Sequence, residues 1–331
     1  MMSKLKLSMS IGNYDRTQAL KDGRVGIEGC EVNVVSLEPE EAFHRAFRYE
    51  EFDVTEISMS SHMMTTARGD NQYVGIPAFL SRVFRHSGIY VRTDRIRKPE
   101  DLKGKIIGVP EYQITANVWI RGILQDEFGI RPNQIKWVRG GIEEPGRGER
   151  APIDLPADIS LEQIPDDRTL SDMLEKGEID GYIGARAPSC FLRGAEHVGR
   201  LFGDEYIEVE KDYFRRTGIF PIMHMVGIRK SLVQENPWLP VSVYKAFIKA
   251  KELAVHELNE LCHLAVTLPW MVHHYNEAQA LMGPDFWPYG LDANRHTIET
   301  FAKYHHDQGM SKRLVRPEEL FAASSLDLSK I

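Results

Sequence analysis

Leu102-Lys103-Gly104-Lys105-Ile106-Ile107-Gly108-Val109-Pro110-Glu111-Tyr112 is the stretch on which the reading of the fold turns. A turn-rich link, Pro99 to Lys105, empties into a fresh apolar strand, Ile106–Pro110, and so starts a second α/β unit inside the chain. Upstream, Leu5–Ile11 alternates apolar and polar residues as a half-buried strand does, and Gly12–Thr17 is a polar loop. Val32–Val35 follows as a strand, then a helix from Pro39 to Tyr49, with proline in its first turn and Glu38, Glu40 and Glu41 at the positive end of its dipole. Phe52–Ser58 is a third strand, Ser60 and Ser61 cap a short helix to Arg68, and Tyr73–Phe79 and His86–Arg92 continue as strands. This βαβαβ order predicts a parallel sheet.

Downstream, the pattern predicts a helix over Thr115–Phe128, a strand at Ile135–Val138, and an exposed Gly/Pro-rich excursion from Gly140 to Asp158. A helix over Thr169–Lys176 and a strand over Ile179–Ile183, ending at Ala185-Arg186, complete this second unit. Gly218–Ile228 is a long apolar strand that returns to the first. The remainder is helical: Trp238–His263, Trp270–Leu281 and Asn294–Gln308. The expected organisation is therefore α/β and two-lobed, with residues 1–95 and 218–331 in the first lobe and 96–217 in the second.

Length and composition agree. A chain of 331 residues exceeds what one hydrophobic core usually organises, and 42% hydrophobic with 27% charged residues is a globular profile. A net charge of −7 without any Lys/Arg-rich run argues against nucleic acid or an anionic membrane as partner. No run of about 20 apolar residues could span a bilayer. The first residues lead straight into a strand with no apolar leader, and Cys30, Cys190 and Cys262 lack metal-ligand spacing, so a reduced, cytoplasmic setting is expected.

Four motifs carry a resemblance: Leu102–Tyr112; Leu174-Glu175-Lys176-Gly177-Glu178-Ile179-Asp180-Gly181-Tyr182-Ile183; Gly218-Ile219-Phe220-Pro221-Ile222-Met223-His224; and Tyr14-Asp15-Arg16-Thr17. The first two resemble the type II periplasmic-binding-protein fold, in which a ligand sits in a cleft between lobes. All four together resemble the 4,5-dihydroxyphthalate decarboxylase family, a cytoplasmic branch of that fold, from Tyr14 to about His306. The resemblance implies non-oxidative loss of one carboxylate from a dihydroxylated aromatic diacid, giving protocatechuate. It implies no organic cofactor, and Tyr14 is carried into the site with its motif.

Such a reaction needs cations for the carboxylates, a base for a phenol, and an acid beside the ipso carbon. In a parallel α/β sheet these come from loops at the carboxyl ends of strands. Arg16, Arg85 and Arg186 stand at such places and are the candidate carboxylate ligands, each with a surface or hinge role as the alternative. Ser60, Ser61 and Thr115 stand at helix starts, where free N–H groups meet anions or hydroxyls merely cap. His224, in the returning strand beside Pro221, and His86, opening another strand, are candidate proton carriers, with His62 beside the serines. Asp15 and Glu111 are candidate ipso acids. His273-His274 and His305-His306 read as surface pairs that cannot chelate, because adjacent helical residues point about 100° apart, and no metal is expected. The loop Asp285–Gly290, with Trp287 and Tyr289, is either an aromatic lid or a buried staple. A non-catalytic solute-binding protein for a small carboxylate, or another enzyme of this fold from a pyrimidine-precursor or menaquinone pathway, are the competing functions. The amphipathic C-terminal helices leave a homo-oligomer open.

Overall fold

The computed structural model describes residues 4–149 and 152–326. In chain order it runs β1 (Leu5–Ile11), α1 (Asp15–Lys21), β2 (Cys30–Ser36), α2 (Pro39–Tyr49), β3 (Val54–Ser58), α3 (Met59–Arg68) and β4 (Tyr73–Arg82). Then come β5 (Ile89–Arg92), β6 (Ile106–Val109), α4 (Thr115–Phe128), β7 (Lys136–Arg139), β8 (Leu161–Gln163), α5 (Leu170–Glu175), β9 (Gly181–Ile183), α6 (Ser189–Leu192), β10 (Val198–Arg200) and α7 (Tyr206–Thr217). The chain closes with β11 (Ile222–Arg229), α8 (Lys230–Glu235), α9 (Leu239–Leu258), α10 (Met271–Met282) and α11 (Arg295–Asp307).

Two sheets organise two units. One unit runs up to Arg82, takes in Ile222–Ile298 and resumes at Val315; the other comprises Val83–Pro221 and Glu299–Leu314. The first sheet has the order β2-β1-β3-β11-β4. Strand β1 pairs in parallel with β2 and β3, while β11 inserts antiparallel between β3 and β4. The alternation read in β1 buries Leu7, Met9 and Ile11. In β3 both faces are covered, so all five residues are buried, the carboxylate of Glu56 among them. Toward the end of β11 the strands pack closely: a Cβ on Gly227 would stand 2.7 Å from the end of the Ile57 side chain and 3.2 Å from the Tyr73 Cβ.

The second sheet has the order β10-β5-β9-β6-β7-β8. Its core is built on Trp119 and Trp137, with Phe301 and Tyr304 of α11 packed on Trp119 at ring distances of 5.1 and 5.7 Å.

The expected lobe boundaries shift for identifiable reasons. Strand β5 hydrogen-bonds to β9 and β10, so the first boundary falls after Arg82 rather than at 95, and the return begins at Ile222. The contacts of α11 with Trp119 draw Glu299–Leu314 into the second unit. His86 does not open a strand: His86–Gly88 is a 3₁₀ turn, and the strand starts at Ile89. Elements α6, β10 and α7, between Arg186 and Gly218, were not foreseen. Helix α7 carries Tyr206, Ile207, Val209, Tyr213 and Phe214 among its charged residues but buries only Tyr213. No helix among the described residues is long and apolar enough to cross a membrane.

Candidate active site

The carboxyl edge of the first sheet brings Tyr14, Arg16, Glu56 and His224 together. Strands β1 and β3 run parallel and end at Ile11 and Ser58, and β2 lies on the far side of β1, so their carboxyl ends form a topological switch point. His224, near the start of the antiparallel β11, stands opposite Ser58 on one neighbour and Ser81 on the other, at a break in regular pairing.

Glu56 is the centre of the group. Its Oε1 accepts from the Tyr14 hydroxyl at 2.8 Å and lies 2.7 Å from His224 Nδ1; its Oε2 accepts from the Gly12 N–H at 3.0 Å. Burial by itself would raise the carboxyl's pKa. Hydrogen bonding and charge from His224, followed by the bonds from Tyr14 and Gly12, outweigh this and hold it below the usual carboxylate range. The same contact raises the Tyr14 phenol, through burial first and the Glu56 charge second, so Tyr14 stays protonated and acts as a donor. A Cβ on Gly12 would lie 2.5 Å from the Tyr14 ring, so glycine is what lets the phenol reach Glu56 past its own loop. Thr17 pins that loop, its hydroxyl donating to the Gly12 carbonyl at 3.0 Å.

His224 is held on its other side by the edge of Phe43, ring centroids 4.7 Å apart. With Nδ1 on Glu56 and the side chain 18% exposed, Nε2 is left without a partner among the described residues. A buried carboxylate that fixes one imidazole nitrogen while the other stays open is an arrangement for giving and taking a proton.

Tyr14 also joins this pair to a cation. The Arg16 guanidinium lies between two rings, its carbon 4.2 Å from the centre of Tyr14 and 4.3 Å from that of Trp287. Its Nε donates to the Leu80 carbonyl at 2.6 Å and its Nη1 to Asp15 at 3.1 Å. Nη2 has no partner among the described residues. With two rings against the guanidinium and Nε and Nη1 engaged, Nη2 is the position left for a carboxylate.

Thus His224, Tyr14, Asp15 and Arg16 come together as the sequence suggested, although Asp15 is exposed and its Oδ1 already accepts from Arg16. Two members were missed. Glu56 was read only as part of a strand; its two-residue spacing from Val54 and Ser58 puts the carboxylate on one face with them in a strand buried throughout, and a charge inside an otherwise uncharged run was the available signal. Trp287 was weighed only as lid or staple, and it proves to be a wall over Arg16.

Other candidates take structural places. His62 is buried, its Nε2 on the Leu320 carbonyl at 2.8 Å, and burial lowers its pKa to about 4, so it is a core residue. The cap of α3 is Ser58, whose hydroxyl accepts from the Ser61 N–H; Ser60 is fully buried in the first turn. In the second unit, His86 is buried against the rings of Phe202 and Tyr213, at 5.6 and 5.1 Å, and burial lowers it to about 4. Its apolar surroundings correct the proton-carrier expectation. Arg85 is buried too, and burial lowers it to about 10 against the opposing charge of Glu210. Glu111, 1% exposed, is bound by Arg147 at 2.5 and 3.0 Å in the second unit, away from the carboxyl edge of the first sheet. Thr115 is the buried first residue of α4, after the cap at Ile114, and Arg186 is exposed just past β9. Residues 150 and 151 of the Gly140–Asp158 excursion lie outside the described residues; of the others many are exposed, yet Glu149 returns to accept from the Tyr112 N–H. Of the paired histidines, His273, His274 and His306 lie at the surface as read; His305 is buried, on the Ser311 hydroxyl at 3.1 Å.

Two α/β units, each built on a sheet of parallel strands joined by antiparallel ones, give a two-lobed protein of the type II periplasmic-binding-protein fold. Solved structures support that fold. The putative sulfonate-binding protein SsuA of Methylobacillus flagellatus KT matches with a TM-score of 0.54, 14% identity, and coverage of 100% of this chain and 96% of that one. The periplasmic aliphatic sulphonate binding protein SsuA of Escherichia coli matches with a TM-score of 0.52 and 12% identity, over 97% and 98% of the chains. No family model matches. A curated 4,5-dihydroxyphthalate decarboxylase of Comamonas testosteroni is 47% identical over 331 residues, the whole of both chains. Another from Pseudomonas putida is 50% identical over 204 residues, 61% of this chain and 79% of that protein. The chain belongs to the 4,5-dihydroxyphthalate decarboxylase family.

Proposed function

We propose that the chain decarboxylates 4,5-dihydroxyphthalate to protocatechuate and CO₂ through the Glu56–His224 pair and Arg16. The chain is a carboxy-lyase by its family, and the open Nε2 of a histidine anchored on a buried carboxylate is the observation that carries the mechanism.

Direct loss of CO₂ would leave an aryl carbanion, so the ipso carbon is protonated first. The hydroxyl para to the departing carboxylate gives its proton to solvent, which later returns it, and pushes electrons into the ring. His224 Nε2 delivers a proton to the ipso carbon. The C–C bond then breaks, CO₂ leaves, its electron pair restores the aromatic ring, and the phenol recovers its proton. The net change replaces CO₂ by one proton, which His224 regains from solvent. Glu56 stays ionised throughout, fixing the ring by Nδ1. Tyr14 holds Glu56 as a neutral donor. Arg16 takes a substrate carboxylate in the plane of its guanidinium. No organic cofactor or metal enters this scheme, since proton and countercharge both come from side chains. The reading puts the reaction in the cytoplasm, with a small aromatic dicarboxylate as the only partner it requires.

The test is to incubate the pure protein with 4,5-dihydroxyphthalate and follow CO₂ release with protocatechuate formation. Stoichiometric appearance of both is expected. Binding without turnover would overturn the reading in favour of a solute-binding role.

A further inference from the structure

Arg16 owes part of its geometry to a residue far from it in sequence. Lys251, in the middle of α9, is buried. Its ammonium donates to both oxygens of Asp285 at 2.9 and 3.0 Å and to the Trp287 carbonyl at 3.1 Å, and it lies 5.0 Å from the centre of the Tyr289 ring. One cation thus ties down three residues of a loop that has no helix or strand of its own. The Trp287 indole N–H completes the hold by donating to the Phe79 carbonyl at 2.8 Å. The side chain fixed in this way is the one whose ring covers Arg16.

We infer that Lys251 is a positioning residue for substrate capture, holding Trp287 over Arg16 so that the guanidinium keeps its open edge available to a carboxylate. This rests on the proposed role of Arg16. An arginine side chain has several rotatable bonds, and its affinity for an anion falls when it must be ordered on binding. Here Tyr14 and Trp287 pack against the guanidinium while Leu80 and Asp15 take Nε and Nη1, so the side chain is held in place before any anion arrives. Releasing Trp287 opens one face to water. The cost falls on capture, and the Glu56–His224 pair is left intact.

The experiment is steady-state kinetics of the full chain on 4,5-dihydroxyphthalate for Lys251→Met, Asp285→Asn, Arg16→Ala and the double variant Arg16→Ala/Lys251→Met. Lys251→Met is expected to raise KM roughly five- to tenfold with kcat within about twofold, the split that marks lost binding rather than lost chemistry. Lys251→Arg should recover part of the loss. In the double variant KM should be no higher than in Arg16→Ala alone, because a clamp that acts through Arg16 has nothing left to position. Asp285 is 56% exposed, so Asp285→Asn loosens the clamp from outside and carries the test should Lys251→Met not fold. A raised KM in Arg16→Ala with wild-type KM in Lys251→Met and Asp285→Asn overturns this inference alone. Additive losses in the double variant overturn it as well. A wild-type KM in Arg16→Ala removes the substrate-binding cation and, with it, the reason for the clamp.

Discussion

The end of β3 in the first unit and the turn before β5 in the second each bury a histidine-containing polar group, and they do opposite things with it. At the end of β3, Glu56 collects three donors around one carboxylate, and the pairing leaves His224 Nε2 open on a partly exposed ring. Before β5, His86 is enclosed by Phe202 and Tyr213, its Nδ1 is buried without a partner, and burial keeps the ring neutral down to about pH 4. Arginines show the same contrast. Arg16 is stacked and tied yet keeps Nη2 available, whereas Arg147 is committed to buried Glu111. Burial alone therefore does not mark a working group. What marks the proposed site is a fixed group with one unspent hydrogen-bonding position.

The largest effect expected from this contrast is at His224. His224→Ala should lower kcat by about a hundred- to ten-thousandfold, the range for removing a general acid, with the CO₂ release assay as the measure. A kcat near wild type would show that the open Nε2 is idle and that the two histidines are alike after all.

Glu56→Gln comes next and affects both turnover and stability. A neutral amide anchors Nδ1 less firmly, so kcat should fall by about ten- to a hundredfold. The sign of the pH effect follows from the depressed carboxyl. A group ionised more readily in the folded than in the unfolded chain adds stability above the ordinary value of 4.5, and that stability is lost as pH falls through the lower folded value. Urea unfolding at pH 7 should find the variant less stable by about 3 kcal/mol, the lower end of what breaking a buried charged pair costs. The gap should narrow as the pH drops below the carboxylate range. A constant gap would mean that Glu56 is not held as an anion.

Arg16→Ala should raise KM for the diacid about ten- to a hundredfold, matching the loss of one charge-assisted carboxylate contact, with a smaller effect on kcat. Equal binding of 4,5-dihydroxyphthalate by variant and wild type, measured calorimetrically, would transfer the substrate cation elsewhere.

How much of this could be read from the residues depends on how local the cause is. The alternation of β1, the proline-led start of α2 and the long apolar β11 each announce themselves within a dozen positions, because burial on one face writes a period into the sequence. Tyr14 and Arg16 were legible for a related reason: a loop after a first strand must lie at the carboxyl edge. Glu56 was not. Its partner His224 lies 168 residues away, and the contact exists only because β11 inserts beside β3. Nor was the fate of His86 or Glu111, since nothing in their neighbours foretold the aromatic wall of Phe202 and Tyr213 or the return of Arg147 from the excursion. Spacing shows which edge a residue occupies; only packing decides whether its hydrogen-bonding capacity is used up there.

The smallest expected effect separates the two regions most cleanly. His86→Phe replaces a neutral ring in an aromatic setting by another ring and removes a buried nitrogen that has no partner, so kcat and KM at neutral pH should stay within about twofold of wild type. Stability against pH should nevertheless change shape. The unfolded imidazole takes up its proton near 6.5, the folded one only near 4, so the unfolded chain binds more protons between those values and wild-type stability falls as pH drops through them. His62, also lowered to about 4 by burial, contributes in the same direction and remains in the variant. Denaturation of His86→Phe from pH 7 to pH 4 should therefore trace a shallower decline than wild type, not a flat line. A large loss of kcat instead would make His86 a working residue and erase the distinction between a spent and an unspent histidine.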